Sequence, residues 1–471
     1  MLNEIFARHW ISLHGLVTVL AIGFYLTASH ILRQRRHPSA AIAWFVSLAL
    51  MPYLALPLYL FFGNRKVVRN HPGLAVHVTA PAPQHASQPA ARIRILAGTL
   101  GLPAASTYDD LELNEDGSHA LRSLLSVIDG ATRTLDLCTF ILGRDVLGRD
   151  ITRHLIQSAR RGVQVRLMID GIGVYLGGHP DMPALKAAGL RVALFVSPLT
   201  SPLPGRTNLR NHRKMVIADG RRVWMGGRNL AAEYFEGDSS SKHKKAAWID
   251  LSFVLSGAIA WQVQAQFNQD WAFATQERRV EALQPIAPSQ PFESATAQLV
   301  PSGPDQTEDT VYTLLVSSCF SAQTRIVAVS PYFVPDATLQ MALTLAARRG
   351  IAVDLLLPAQ SNHRLADMAR HAALRELTAV GARVWLAPRM IHAKAMVIDD
   401  EIAFAGSANL DGRSLFLNYE MMIAFYQQAD VQRFAQWIER HREGAQPYVA
   451  QPPGVMREFG EGMVRWLAFQ L

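Results

Sequence analysis

A five-residue pattern occurs twice in this chain, 180 positions apart. His212–Asp219 reads HRKMVIAD and His392–Asp399 reads HAKAMVID, both His-x-Lys-x4-Asp. Each copy reaches a glycine seven residues past the Asp and an asparagine three residues later: Gly226 and Asn229, then Gly406 and Asn409. With each residue type at roughly one position in twenty, a chance second copy has odds of about one in ten thousand. The chain is therefore expected to fold as two similar units. His, Lys and Asn are the side chains that attack, neutralise and position a phosphate ester, so two halves can build one site.

The repeat is wider than the motif. Leu121–Ala131 reads as a helix before the strand Thr134–Ile141, and a helix near Gly148–Arg161 leads to the strand Val163–Ile169. In the second half a helix near Thr310–Ser321 precedes the strand Arg325–Ser330, and a helix near Ala337–Arg349 leads to the strand Ile351–Leu357. Arg160-Arg161-Gly162 and Arg348-Arg349-Gly350 close the equivalent helices, with glycine for the cap and arginines at the negative end. This β-α-β order predicts an α/β fold in which helices layer on sheets. The expected domains are residues 1–70, a linker over 71–93, a first half over 94–285 and a second over 292–471. The linker is marked by the Ala-, Pro- and Gln-rich His77–Arg92, and the boundary between halves by Gln284–Pro291.

Trp10–Leu32 and Pro38–Phe62 contain no charged residue, and each exceeds the roughly 20 residues of a bilayer-spanning helix. They predict an N-terminal two-helix transmembrane hairpin, with interfacial aromatics such as Trp44, Tyr53 and Tyr59. Arg8, Arg65, Lys66 and Arg69 slightly outnumber Arg33, Arg35 and Arg36 of the connecting link, which favours a catalytic part on the cytoplasmic side. The net charge of +8 suits a polyanionic partner, either nucleic acid or an anionic lipid surface. A nuclease has no need of two membrane helices, so lipid is the expected partner and nucleic acid is not. Cys138 and Cys319 lie in apolar stretches and read as small buried residues, and no HExxH or Cys-x-x-Cys pattern suggests a metal.

Period-two spacing points His212 with Lys214, and His392 with Lys394, toward one side of an extended segment. Gly226-Gly227 and Gly406-Ser407 would let backbone approach an oxyanion, so Gly227, Ser407, Asn229 and Asn409 are candidate phosphate-binding residues. Around one phosphodiester, the lysines and asparagines would stabilise a phosphorane-like state. One neutral histidine attacks phosphorus and the other, protonated, supplies the leaving oxygen with its proton. Water or an alcohol then resolves the phosphohistidine. No metal or other cofactor is required by this chemistry. Asp219 and Asp399 complete the repeated catalytic motif, although an Asp in either place could simply close a strand turn.

These residues resemble the phospholipase D superfamily, the HKD enzymes, from about Arg94 to the C-terminus. The likeness is closest to the bacterial cardiolipin synthases, whose phrases are present as Arg210-Asn211-His212-Arg213-Lys214, Gly226-Gly227-Arg228-Asn229 and Glu233-Tyr234. In the second half they are Ser330-Pro331-Tyr332-Phe333-Val334-Pro335, Gly406-Ser407-Ala408-Asn409-Leu410-Asp411 and Leu417-Asn418-Tyr419-Glu420. The resemblance implies two pseudo-symmetric α-β-α halves forming one active-site cleft. It implies reversible phosphatidyl transfer between two phosphatidylglycerol molecules, giving cardiolipin and glycerol, by a multi-pass protein of the bacterial inner membrane. A phospholipase D-type hydrolase or a transferase using another headgroup acceptor is the alternative. The resemblance further implies His212 as nucleophile and His392 as acid/base. It assigns Glu420 to orient His392, and Asp250 to orient His212. Two departures stand out. Arg228 replaces a usual apolar residue and is expected to touch lipid phosphate or face solvent, and Glu236–Ala247 is unusually basic and polar.

Overall fold

The computed structural model describes residues 2–31, 38–62, 89–196, 208–237, 246–277 and 296–468. The basic link, the boundary Gln284–Pro291, and most of the expected linker and of the basic loop lie outside these residues. Three helices open the chain: α1 (Leu2–Ile31), α2 (Pro38–Leu50) and α3 (Pro52–Phe62). The expected two-helix transmembrane hairpin is not found. Among the described residues no helix is long and apolar enough to cross a membrane. The physical cause in the second segment is Pro52, which lacks an N–H and ends α2 at Leu50. That leaves helices of 13 and 11 residues, against about 20 for a span. The first segment, to Ile31, falls within α1, whose first half also carries Glu4, Arg8, His9 and His14. Ala21, Tyr25, Leu48, Ala55 and Tyr59 form a small core between the three helices.

Two α/β units follow α4 (Pro89–Thr99) and β1 (Ser106–Thr107). The first contains β2 (Leu111–Leu113), α5 (Gly117–Asp129), β3 (Thr134–Thr139), α6 (Val146–Arg160) and β4 (Gln164–Asp170). It continues through α7 (Gly171–Leu176), α8 (Met182–Ala187), β5 (Arg191–Phe195), β6 (Met215–Ala218), β7 (Arg222–Gly226), β8 (Ser252–Ser256) and α9 (Ala258–Thr275). The second begins with β9 (Thr296–Ser302), α10 (Thr310–Ser321), β10 (Arg325–Val329), β11 (Phe333–Val334), α11 (Ala337–Arg348), β12 (Ala352–Pro358) and α12 (Arg364–Ala379). Then come β13 (Arg383–Ala387), β14 (Ala395–Ile398), β15 (Ile402–Gly406), β16 (Leu410–Asp411), α13 (Gly412–Phe416) and β17 (Glu420–Phe425). α14 (Gln428–Arg442), β18 (Gln446–Pro447) and α15 (Val455–Ala468) complete the chain.

The sheets repeat one plan. Their orders are β2-β8-β7-β6-β3-β4-β5 and β1-β9-β17-β15-β14-β10-β12-β13-β18. In each, three parallel strands joined by helices (β3, β4, β5 and β10, β12, β13) meet an antiparallel run that begins just after the His-x-Lys motif. The repeated caps also recur. Asp145 accepts from Gly148 N (2.8 Å) and Asp336 from Leu339 N (3.0 Å), each satisfying a free helix N–H. Gly162 and Gly350 follow the helices with φ of 90° and 85°, a region open to glycine at no steric cost. A shared core joins Met215, Phe253 and Phe267 of the first half to Val397, Phe425 and Phe434 of the second. Cys138 and Cys319 are buried and free.

Residues 89–107, expected to belong partly to the linker (to residue 93) and partly to the first half (from residue 94), attach to the second half instead. Ile93, Ala97 and Leu102 are buried with Val311, Leu314 and Leu315. Ala90 N donates to Glu401 (3.0 Å), and β1 pairs with β9. The N-terminal segment thus crosses over its neighbour in sequence to close the farther sheet.

Candidate active site

The His-x-Lys tripeptides are extended but lie just before β6 and β14 rather than inside them. Two short parallel bridges hold them, and both cross between halves: Asn211 pairs with Tyr419 and Ile391 with Ile249. His212 N donates to Tyr419 O (2.9 Å) and Tyr419 N to Arg210 O (2.9 Å). His392 N donates to Ile249 O (2.6 Å) and Ile249 N to Met390 O (2.8 Å). The next residue on each strand is then the histidine on one side and a carboxylate on the other.

This register crosses the expected acid–histidine assignment. Asp250 Oδ2 lies 2.7 Å from His392 Nδ1 in a buried hydrogen bond, and Glu420 Oε1 lies 3.2 Å from His212 Nδ1. Each histidine faces the carboxylate of the other half. The sequence places each acid after its own motif, but bridge pairing carries it to the opposite one.

Lys214 and Lys394 are buried, and each amine turns back to the carbonyl oxygen of its own histidine, at 2.6 Å for Lys214. Lys394 Nζ also lies 2.8 and 2.9 Å from the ring nitrogens of His392. Burial, then the adjacent lysine charge, pushes His212 down to about 4 and His392 down to about 3, against the pull of the facing carboxylates. Burial likewise lowers Lys214 to about 8 and Lys394 to about 7, offset most by Glu420 and Asp250 respectively. Burial opposes the charge on Asp250 and Glu420, but the facing histidine and lysine overcome it and hold both carboxyls below the usual range. Lys394 acts on His212 and Lys214 on His392, so the two motifs form one electrostatic cluster and titrate together.

The carboxylates are supported differently. Glu420 accepts from Ser407 Oγ (2.5 Å), Ser414 Oγ (2.7 Å) and Asn418 Nδ2 (3.3 Å). Gly227 holds the place of Ser407 in the first half, and a Cβ there would stand 2.3 Å from Asp250 Oδ1. Gly227 and Ser407 were expected to bind phosphate, and neither is free to do so. Their N–H groups donate to Leu251 O (2.9 Å), just before β8, and to Met421 O (3.0 Å) in β17. They make room for, or bond to, the carboxylate behind each histidine.

Arg228 neither faces solvent nor reaches outward. It is buried, with Nε donating to Tyr234 O (2.9 Å) and Nη1 to Ser252 Oγ (2.5 Å), and its charge helps hold Asp250 ionised. Burial lowers its own pKa to about 10. Arg213, which the sequence reading passed over, is equally buried and ties the halves together. Nε donates to Glu420 O (3.0 Å), Nη2 to Ser302 O (3.0 Å), and Nη1 pairs with Asp270. Its counterpart in the second motif is Ala393. The arginine between His and Lys was a visible signal, since an odd charge at that strand position needs a partner.

Asp219 and Asp399 are placed away from the chemistry. Asp219 accepts from Thr132 N (2.9 Å), Arg133 N (2.7 Å) and Thr134 N (2.8 Å); Asp399 accepts from Gln323 N (3.0 Å), Thr324 N (2.7 Å) and Arg325 N (3.0 Å). Both have positive φ, 54° and 52°. They end β6 and β14 and gather the backbone entering β3 and β10, a structural role in place of the expected catalytic one. Asn229 and Asn409 are buried, each with an Oδ1 that accepts no hydrogen bond among the described residues. Aromatic rings wall both histidines: Phe140 at 4.8 Å from His212, Tyr234 at 5.1 Å and Trp248 at 5.6 Å from His392. Among the described residues no group of three or more His, Cys, Asp or Glu is arranged to hold a metal ion.

The family model described as cardiolipin synthase, PLD-like domain, matches residues 124–271 and again 315–442. A phospholipase D-nuclease N-terminal model matches residues 22–64. Cardiolipin synthase A of Pseudomonas entomophila (strain L48) is 30% identical over 455 residues, covering 93% of this chain and 92% of the relative. Cardiolipin synthase A of Pseudomonas aeruginosa (strain LESB58) is 31% identical over 426 residues, covering 87% of this chain and 85% of the relative. Among solved structures, phosphatidylserine synthase from Haemophilus influenzae Rd KW20 superposes with a TM-score of 0.62 at 13% identity, covering 82% of this chain and all of that one. That last likeness speaks for the fold alone.

Proposed function

The chain belongs to the family of PLD-like cardiolipin synthases, which makes it a phospholipid phosphatidyltransferase, and we propose that it joins two phosphatidylglycerol molecules into cardiolipin and glycerol. The observation that carries this reading is the crossed pairing of His392 with Asp250 and His212 with Glu420. Two half-motifs then share one phosphodiester.

His212 is the nucleophile. Its side chain is 16% exposed against 5% for His392, and its contact with Glu420 is the longer of the two. Burial keeps it neutral, as attack requires. The P–N bond forms as the P–O bond to glycerol breaks, and His392 gives its proton to the departing alkoxide. A bound phosphodiester anion favours that proton on His392, and Asp250 stabilises the resulting imidazolium. The terminal hydroxyl of the second lipid then attacks phosphorus, His392 takes its proton, and the P–N bond breaks. Lys214, Lys394, Asn229 and Asn409 swing or point to the nonbridging oxygens, where their donors act most strongly on the transition state.

Membrane association belongs to the same proposal. On α1 to α3 the small core is enclosed by exposed Leu16, Val19, Leu20, Phe24, Leu50 and Leu54. An apolar outer surface of that extent fits lipid better than water. We place the protein in the bacterial inner membrane with the catalytic halves on the cytoplasmic side.

The deciding experiment supplies purified protein with phosphatidylglycerol alone. Cardiolipin and free glycerol in equal amounts are expected. Phosphatidic acid as the main product would make the chain a hydrolase instead.

A further inference from the structure

The edge of the cleft carries apolar side chains that the mechanism above does not use. In the first half the chain leaves β3 at Phe140, which touches His212, and passes Arg144 to reach Val146 at the start of α6. α7 follows β4 along the same edge and ends in Tyr175 and Leu176. The two segments are fixed to each other. Arg144 N donates to Gly177 O (2.8 Å), and Gly173 packs so closely that a Cβ would stand 1.5 Å from Phe140 O. Yet Val146, Tyr175 and Leu176 are 61%, 47% and 64% exposed. Large apolar side chains held outward by a rigid, well-packed base mark an interaction surface rather than a loose loop.

The second half repeats the arrangement. β12 and α12 are the counterparts of β4 and α7. The turn between them carries exposed His363, and α12 opens with exposed Arg364 and with Leu365, 44% exposed. This turn belongs to the cleft as well. Tyr332 donates to Asn362 (2.6 Å), its ring lies 6.0 Å from His363, and it interacts electrostatically with Glu233 beside Tyr234, whose ring meets His392.

Charge selects the partner. Arg144, Arg149 and Arg364 are exposed among these apolar residues. The nearby acids are already engaged by neighbours, Asp150 at the surface and the others partly buried. Asp145 accepts from Gly148 N and Ala232 N, Asp150 pairs with Arg153, and Asp367 accepts from Ser361 N and pairs with Arg370. Apolar side chains interspersed with arginines suit an anionic phospholipid leaflet.

We propose that this rim is a membrane-docking surface, separate from the N-terminal helices, that seats the cleft mouth on an anionic leaflet. Val146, Tyr175, Leu176 and Leu365 enter the boundary between headgroups and acyl chains, while Arg144, Arg149 and Arg364 meet phosphates. A lipid then reaches His212 past Phe140 without crossing water. The proposal rests on the phosphatidyl-transfer reading for its substrate, and the tests separate the two.

The full chain carrying V146D and L176D is assayed on long-chain phosphatidylglycerol vesicles and on monomeric short-chain phosphatidylglycerol. Activity on vesicles is expected to fall about tenfold or more, with the short-chain rate unchanged. Equal loss on both substrates, or loss on neither, overturns the docking surface. Wild-type inactivity on both lipids overturns the phosphatidyl-transfer reading. A second measurement needs no turnover. Both native cysteines are buried, so L176C can be labelled selectively with an environment-sensitive dye. Its emission is expected to shift to the blue with phosphatidylglycerol vesicles, and R144E/R149E in the same chain should weaken that shift. No shift on adding vesicles overturns the proposal whatever the activity.

Discussion

His392 and His212 meet buried carboxylates from opposite halves, but on different terms. His392 lies in a 2.7 Å hydrogen bond to Asp250, with Tyr234 and Trp248 around its ring and the Lys394 amine against both ring nitrogens. His212 is more open and stands 3.2 Å from Glu420, whose oxygens are already engaged by Ser407, Ser414 and Asn418. A duplicated motif has thus acquired two environments. The tight one suits a proton carrier held in one orientation. The open one suits a nucleophile that must reach phosphorus.

The largest expected effect is loss of either histidine. H212A and H392A should each lower turnover by about 10^4 or more, since residues acting as a unit fail together. The comparison breaks on the intermediate. Protein exposed to labelled phosphatidylglycerol and quenched should carry phosphohistidine in H392A and none in H212A. Label retained in H212A would reverse the two roles.

Next come the carboxylates. D250N is expected to cost about 10^3 in kcat and E420Q about 10^2, because the shorter contact controls the tautomer and charge of its histidine more firmly. Steady-state rates on short-chain phosphatidylglycerol test the order, and equal losses would remove the distinction between the halves.

The pH profile sharpens it further. Burial lowers Lys394 to about 7 and Lys214 to about 8. The cationic forms needed at phosphate are therefore lost as pH rises through that window, and kcat/KM should fall about tenfold per pH unit within it and about a hundredfold per unit beyond it. His212, lowered to about 4, stays neutral until the pH falls that far. K394R should move the lower alkaline limb upward while K214R leaves it in place. A profile flat to pH 9 would contradict this.

A smaller asymmetry lies behind the carboxylates. G227S should disable the protein, since its Cβ alone would stand 2.3 Å from Asp250 Oδ1. S407G should cost only about tenfold, the loss of one hydrogen bond to a charged group. Finally, D219A and D399A should behave alike, each lowering stability by about 1–3 kcal/mol in thermal unfolding with kcat of the folded protein nearly unchanged. A large kcat defect in either would restore a catalytic role to the motif's aspartate.

Much of this molecule is written locally. The duplication, the alternating helices and strands, and the glycine caps at Gly162 and Gly350 are patterns of neighbours, and the structure contains them. The crossing of Asp250 and Glu420 is not local. It depends on which strand lies beside which across the two halves, and the bridges Asn211–Tyr419 and Ile249–Ile391 have no sequence signature. The same holds for residues 89–107, whose apolar side chains could have packed on either sheet. Gly227 and Ser407 sit in a phrase that suggests anion binding, but their N–H groups are consumed by strands 24 and 14 residues further on. Asp219 and Asp399 share the spacing of the catalytic residues because the hairpin needs an acid there. In the N-terminal region, charge-free length suggested two spans, and the break at Pro52 divided the second into two short helices.

The crossed bridges also impose an order on the life of the polypeptide. A nascent first half can complete its sheet and bury the side packed on α5 and α6, and still hold His212 without Glu420. Docking of the second half brings Glu420 to His212 and His392 to Asp250 in one event. The interface therefore works as an interlock: a chain that has folded only in part, or been truncated between its halves, holds neither histidine–carboxylate pair.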